Sequence, residues 1–198
     1  QLSLTGAATP NFRNYRAVEA SYGLPIGADG LRVTGAAAWV ATRARNFDIK
    51  GRAKLAGVSL TYPVLRRATR AGDISFSVDG VNARNAVFGN IIATERTRAA
   101  RLSGAFVSAS SDHTFNLSAN LAHGLDIFGA RISDPDTELG FNKLNASSTY
   151  ERTWASRFIG PLHVTGQYSR DRLPAAELLS FGGAVIGRAF DTGIVTGD

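Results

Sequence analysis

The sequence predicts an all-β protein of antiparallel strands, and among the antiparallel classes it favours a membrane-spanning barrel. Three observations carry this. Apolar and polar residues alternate with period two through most of the chain, which gives a β-ribbon one apolar and one polar face. Several of these runs are long enough to cross a bilayer at a tilt, which takes about 9–11 residues; strands of soluble proteins more often run about 5–6. Tight turns alternate with longer loops, as they do in outer-membrane barrels. No run approaches the roughly 20 apolar residues of a membrane helix, which does not count against a barrel, because its strands carry a weaker signal.

Nine strands are expected, over residues 2–8, 14–24, 31–43, 52–62, 73–82, 95–109, 113–123, 143–154 and 162–170. The second and third are joined by Pro25-Ile26-Gly27-Ala28-Asp29-Gly30, which has the residues a tight turn needs. In the fourth, Ala56, Val58, Leu60 and Tyr62 alternate with Gly57, Ser59 and Thr61; in the fifth, Ile74, Phe76 and Val78 alternate with Ser75, Ser77 and Asp79. Between them Leu65-Arg66-Arg67-Ala68-Thr69-Arg70 reads as a solvated turn. A longer loop is expected from Ala83 to Thr94, and Ser110-Ser111-Asp112 is a tight turn. The seventh strand sets Phe115, Leu117, Ala119 and Leu121 against Asn116, Ser118 and Asn120. After a second long loop from Gly124 to Asn142 come two more ribbons. Leu144, Ala146, Ser148 and Tyr150 form one face of the first, and Leu162, Val164, Gly166 and Tyr168 one face of the second. Trp39, Tyr62, Tyr150 and Trp154 fall mostly near strand ends, as the interfacial girdle of a barrel would. A soluble sandwich alternates in the same way, with its apolar faces buried against each other, so periodicity alone leaves it as the alternative.

Composition narrows the chemistry. The 198 residues include no Cys and no Met, with 21 Gly and a net charge of +6. Without Met at position 1, translation is expected to begin upstream. Lack of Cys removes disulfides, thiolate metal sites and Cys nucleophiles. The basic balance is compatible with an anionic partner, yet Arg13, Arg43, Arg52, Arg84, Arg131 and Arg170 look scattered along the chain. His113, His123 and His163 lack partners at metal-ligand spacing. There is no G-x-S-x-G elbow and no phosphate-binding loop. Gly182, Gly183 and Gly187 do not follow dinucleotide spacing, and Asp171 with Glu177 makes a poor glycosidase pair. An enzyme is not expected, nor a cofactor, a metal or a nucleic-acid partner.

The last residues carry a more specific signal. Asp171 to Asp198 reads DRLPAAELLSFGGAVIGRAFDTGIVTGD. It resembles the lumen-folding loop of two-partner-secretion transporters, outer-membrane proteins of Gram-negative bacteria that export hemolysins and filamentous-hemagglutinin-like exoproteins. The match lies in Leu173-Pro174-Ala175-Ala176-Glu177, Phe181-Gly182-Gly183 and Arg188-Ala189-Phe190-Asp191, followed by an acidic, glycine-containing tail. Upstream, ASYGLPIGADGLRV (20–33) is similar to an early hairpin of that family, and LTYPVLRRATRAGDISFSV (60–78) to its Tyr-Pro turn. One position departs: Ala189 stands where the family has glycine. If that position needs positive φ, alanine costs about a kcal/mol or more.

The resemblance implies a sixteen-stranded antiparallel barrel preceded by two periplasmic POTRA domains. This chain would be a partial transmembrane barrel domain over residues 1–198, with strands about three to eleven and a lumen-folding loop at 171–198. The POTRA domains would lie outside it. The turns at 25–30 and 110–112 would face the periplasm, and the 83–94 and 124–142 loops the exterior. The implied function is translocation of a large secreted exoprotein from the periplasm to the cell exterior. The implied partners are that exoprotein, outer-membrane lipid and, during biogenesis, the barrel-assembly machinery. Arg188 would sit at the loop tip and pair with an acidic residue on the inner wall, with Phe190 packed beside it. Gly182, Gly183 and Gly187 would let the loop fold tightly, while Glu177 and Asp191 are equally readable as loop-surface charges. The rival readings are an insertase of the same superfamily, a diffusion pore, and a soluble β-sandwich or adhesin module.

Overall fold

The computed structural model describes residues 1–10, 14–44, 48–154, 158–181 and 195–197. Nine strands run in sequence as a meander: β1 (Leu2–Ala8), β2 (Tyr15–Ile26), β3 (Leu31–Arg43), β4 (Ile49–Arg67), β5 (Arg70–Val87), β6 (Asn90–Ala109), β7 (His113–Gly124), β8 (Asn142–Trp154) and β9 (Phe158–Ser169). They form one antiparallel sheet in sequence order, open at β1 and β9. A 3-10 turn (Ala175–Glu177) and a small ribbon of β10 (Leu179–Phe181) with β11 (Val195–Gly197) come after it.

Register fixes two faces. Leu24, Val33, Leu60, Phe76, Leu102, Leu121, Leu144 and Tyr168 are successive partners across β2 to β9. On the opposite face Thr34, Ser59, Ser77, Arg101, Ala122, Lys143 and Ser169 form an equally continuous row across β3 to β9. The apolar face is uncovered: Val58 is 59% exposed, Leu121 54% and Leu162 60%. Among the described residues the buried hydrophobic cluster is only Ala99, Ala122, Phe141 and Leu173. A sandwich would bury the face that is bare here. An apolar outside over a polar inside is the arrangement of a membrane barrel wall, and the sandwich alternative fails on this point.

Two expected features come out differently. The 83–94 stretch is no long loop: β5 runs up to Val87 and β6 starts at Asn90, joined by Phe88-Gly89. Both turn residues have positive φ, 50° and 83°, the geometry of a type I′ hairpin turn, whose twist matches the flanking strands. The 125–141 connection on that side is long, as expected. Tyr62-Pro63 likewise lies inside β4 and not in a turn; the register shifts between Pro63 and Leu65, and the chain reverses later, at Ala68-Thr69. Proline is tolerated there because Thr61 is the last β4 residue paired with β3.

The long connection is explained by an edge. β6 extends past β7, so residues before Ala99 have no β7 partner. An open edge in a sheet invites pairing, and here the 125–141 loop supplies it. The Leu125 amide donates to Arg98, Arg96 and Arg131 bond reciprocally, and Ser133 bonds both backbone groups of Thr94.

The apolar face also changes along its height. Toward the end carrying the 125–141 loop it turns basic, with Arg16 on β2, Arg43 on β3 and Lys50, Arg52 and Lys54 on β4. Arg84 on β5 and Arg96 and Arg98 on β6 continue it. Of the arginines that look scattered in sequence, Arg43, Arg52 and Arg84 are therefore gathered by register onto one face.

Candidate functional site: a carboxylate clamp on the polar face

Strands stand about 4.8 Å apart, so residues two strands apart in one row leave a gap if the middle residue is small. Arg101 on β6 and Lys143 on β8 share a row with Ala122 between them on β7. One row nearer the loop end, Asp79, Ala99 and Gly124 are successive partners on β5, β6 and β7. The small residues form a shallow trough flanked by two cations and one carboxylate.

The segment after β9 fills that trough. Asp171 starts the descent: its carboxylate accepts from the Asn142 backbone and side-chain amides, at 2.5 and 3.2 Å. Leu173 is buried against Phe141, Ala99 and Ala122, with Leu178 alongside, and Pro174 next to it is fully buried. Phe141 is wholly buried and rests where a Gly124 side chain would be; a Cβ there would meet the Leu139 carbonyl oxygen and the Phe141 ring. The 3-10 turn closes with the Glu177 amide donating to the Pro174 carbonyl at 2.8 Å.

That turn aims Glu177 between the two cations. Arg101 donates to both Glu177 oxygens, at 2.5 Å from Nη2 and 3.1 Å from Nη1. The same guanidinium holds Asp79, from Nε at 2.6 Å and Nη2 at 3.1 Å. Lys143 bonds the Glu177 carboxylate as well and donates to its backbone carbonyl at 2.9 Å. Lys143 and Glu177 are buried and Arg101 nearly so. Two cations and two carboxylates sum to zero, the condition under which buried charges persist. A planar guanidinium suits the bridging position because its fork serves two carboxylates at once. Burial by itself pushes the Glu177 carboxyl up; the Arg101 and Lys143 hydrogen bonds outweigh it and hold the group below its ordinary value.

Of the expected site residues, Glu177 is placed as a buried anchor, not a surface charge. Gly182, Gly183, Gly187, Arg188, Phe190 and Asp191 lie outside the described residues. Arg101, Lys143, Asp79 and Phe141 are not legible as a site from sequence. The signal for three of them is the hairpin register, which puts Arg101 and Lys143 in one row and Asp79 one row away. Among the described residues no group of three His, Asp or Glu side chains could hold a metal ion.

Comparisons with known proteins point the same way. The model of the haemolysin secretion/activation protein family ShlB/FhaC/HecB matches residues 1–198. CdiB from Escherichia coli superposes with a TM-score of 0.74 at 19% identity, over 89% of this chain and 35% of its own. CdiB from Acinetobacter baumannii gives 0.67 at 14% identity, over 92% and 34% respectively. The chain thus spans about a third of the solved structures it matches. Curated protein sequences gave no match.

Proposed function

The chain belongs to the haemolysin secretion/activation family ShlB/FhaC/HecB, outer-membrane β-barrels of Gram-negative bacteria, and from that premise we propose that it is wall and plug of a two-partner-secretion pore. In this reading residues 1–198 supply strands about three to eleven of a sixteen-stranded barrel, and POTRA domains outside this chain receive the exoprotein in the periplasm. The exported protein is of the large hemolysin or adhesin type. The polar face is the lumen wall along which the unfolded exoprotein passes, driven outward by folding outside.

The observation that supports this most is the clamp. The Leu173-Pro174-Ala175-Ala176-Glu177 segment leaves β9 at the loop end and turns back onto the polar face, fixed there by Arg101 and Lys143. In this reading the residues C-terminal to that anchor, Arg188 and Phe190 included, continue into the lumen. Arg188 then pairs with a carboxylate on the inner wall, and Asp191 and the glycines shape the tip.

The test is Arg188→Ala in the intact parent transporter. Exoprotein release to the medium should fall about tenfold or more, the scale of one lost charge-assisted pair, while the amount of heat-modifiable barrel in the outer membrane stays unchanged. Full release from that variant would refute the role given to the loop. Full release from a strain lacking the transporter would refute the secretion reading itself.

A further inference from the structure

The outward face carries a set of charges that secretion does not use. Arg16, Arg52 and Arg84 stand in one row of β2, β4 and β5, with Ala41 of β3 between the first two. Lys54 and Arg96 belong to the next row toward the membrane, with Trp39 and Asn82. All five cations are exposed. Among the described residues the Arg52, Lys54, Arg84 and Arg96 side chains have no carboxylate and no hydrogen-bond partner. Asp48, just before β4 at this level, is already engaged by Arg43 and Lys50. Glu19, Asp79 and Glu95 point to the other face by register.

The position of the band is as informative as its sign. Lys54 is continuous with the outward apolar run of Ala56, Val58, Leu60 and Tyr62, and lies about 13 Å along the strand from Val58. Trp39 marks the border, with the Arg16 guanidinium 5.7 Å from its ring centroid, where interfacial aromatics sit. The end concerned carries the 125–141 loop, and long loops of outer-membrane barrels face the exterior. A cavity of about 350 Å³ opens between Arg16, Arg43, Lys50 and Arg52. A cationic band continuous with the hydrocarbon belt, on the exterior side, meets the headgroups of the outer leaflet.

We infer that this band is a lipid site: the exposed cations of β2 to β6 bind the phosphate groups of the outer leaflet's phosphorylated glycolipid, lipopolysaccharide. Phosphate fits the donors, since unpaired guanidinium groups bind it bidentately. A row spread over several strands selects a multivalent headgroup over a single free anion. The inference rests on the outer-membrane placement of the family and is independent of what passes through the lumen.

The experiment uses the intact parent transporter, purified in mild detergent, as wild type and as the combined variant Arg52→Gln, Lys54→Gln, Arg84→Gln, Arg96→Gln. The probes are deep-rough lipopolysaccharide, the same lipid with its phosphates removed, and inorganic phosphate. Wild type should bind the phosphorylated lipid and gain melting temperature from it. The variant should lose about fivefold in affinity for each cation removed, two orders of magnitude or more in all. The dephosphorylated lipid and inorganic phosphate should do little to either. Equal lipid binding by wild type and variant would overturn the assignment, as would equal binding of the dephosphorylated lipid or tight binding of inorganic phosphate. If the variant fails to give a heat-modifiable barrel, the two lipids on wild type decide alone. Unchanged lipid binding with lost exoprotein release would hand the band to the secreted partner.

Discussion

Two ion pairs in this molecule have the same length and opposite surroundings. Arg101 Nη2 lies 2.5 Å from Glu177 on the polar face, and Arg66 Nη2 lies 2.5 Å from Asp73 beside the β4–β5 turn. The side chains of the first pair are 19% and 4% exposed, those of the second 56% and 36%. Distance therefore does not rank them. At the turn, water can replace either partner at little cost. In the trough it cannot, so each charge depends on the others, and the clamp behaves as a unit in which losing one member strands the rest.

The comparison breaks most visibly if Glu177 is removed. In Glu177→Leu, Arg101 retains Asp79 but Lys143 is left buried with no carboxylate. Stranding a buried charge costs about 3–5 kcal/mol, here charged against docking of the 171–181 segment. Cleavage of that segment by protease in the intact transporter should accelerate about a hundredfold or more. Adding Lys143→Met should recover most of the protection, since removing both charges abolishes the penalty. A double variant cleaved as fast as the single one would show that packing of Leu173 and Pro174, not charge, holds the segment.

Acid probes the same unit without mutation. The Glu177 pKa is depressed when docked, from an ordinary 4.5. A depressed carboxyl contributes stability that is fully present above its free value and is lost as pH falls through the docked one. Protection of 171–181 should thus be flat from neutral pH down to about 5 and decline below 4.5. Glu177→Gln should show no decline of its own. Asp79 faces the same guanidinium, so Asp79→Asn separates its share. A decline centred near pH 6.5 would instead implicate a histidine and refute this account.

Packing beneath the clamp gives a smaller effect. Gly124→Ala places a methyl group against the Leu139 carbonyl and the Phe141 ring. Overpacking of this kind costs about 1–3 kcal/mol. Phe141 would be pushed from under Leu173, so partial loss of 171–181 protection is expected while strand pairing persists. Unchanged protection would mean that the 125–141 loop gives way freely.

How much of this is legible in the sequence depends on whether two faces meet different solvents. β7, expected at 113–123, runs over His113–Gly124, because lipid on one side and a wet lumen on the other enforce alternation. Past the membrane level both faces are wet and the pattern fades. Asn82, Ala83, Arg84 and Asn85 give no period, so the upper halves of β5 and β6 read as a loop although they are paired up to the turn, with one register shift between Asn85 and Ala86. Pairing there is held by backbone bonds and the Phe88-Gly89 turn, not by burial. The clamp is half legible: Glu177 stands out within a motif, while Arg101, 76 residues away, looks like any strand arginine. Only the register of two hairpins, β6–β7 and β7–β8, brings it into one row with Lys143. The basic band is hidden for the same reason, since spacing along the chain conceals neighbours across a sheet.

The exposed pair is the control for all of this, and it carries the smallest effect. Arg66 also donates to the backbone carbonyls of Leu65 and Gly72, at 3.0 and 3.3 Å, so its side chain is held in place despite its exposure. An exposed pair is worth about 0.2–1 kcal/mol and weakens with salt. Arg66→Ala should accordingly leave protease protection of 171–181 unchanged and shift the unfolding midpoint of the intact barrel only slightly. A double-mutant cycle with Asp73→Ala should return a coupling below about 1 kcal/mol that shrinks toward zero at high salt. The matching cycle on Arg101 and Glu177 should return several times more and respond little to salt, because ions do not enter the trough. If the two cycles gave equal couplings, burial would not be what separates the pairs, and the clamp would lose its standing as the anchor of the loop.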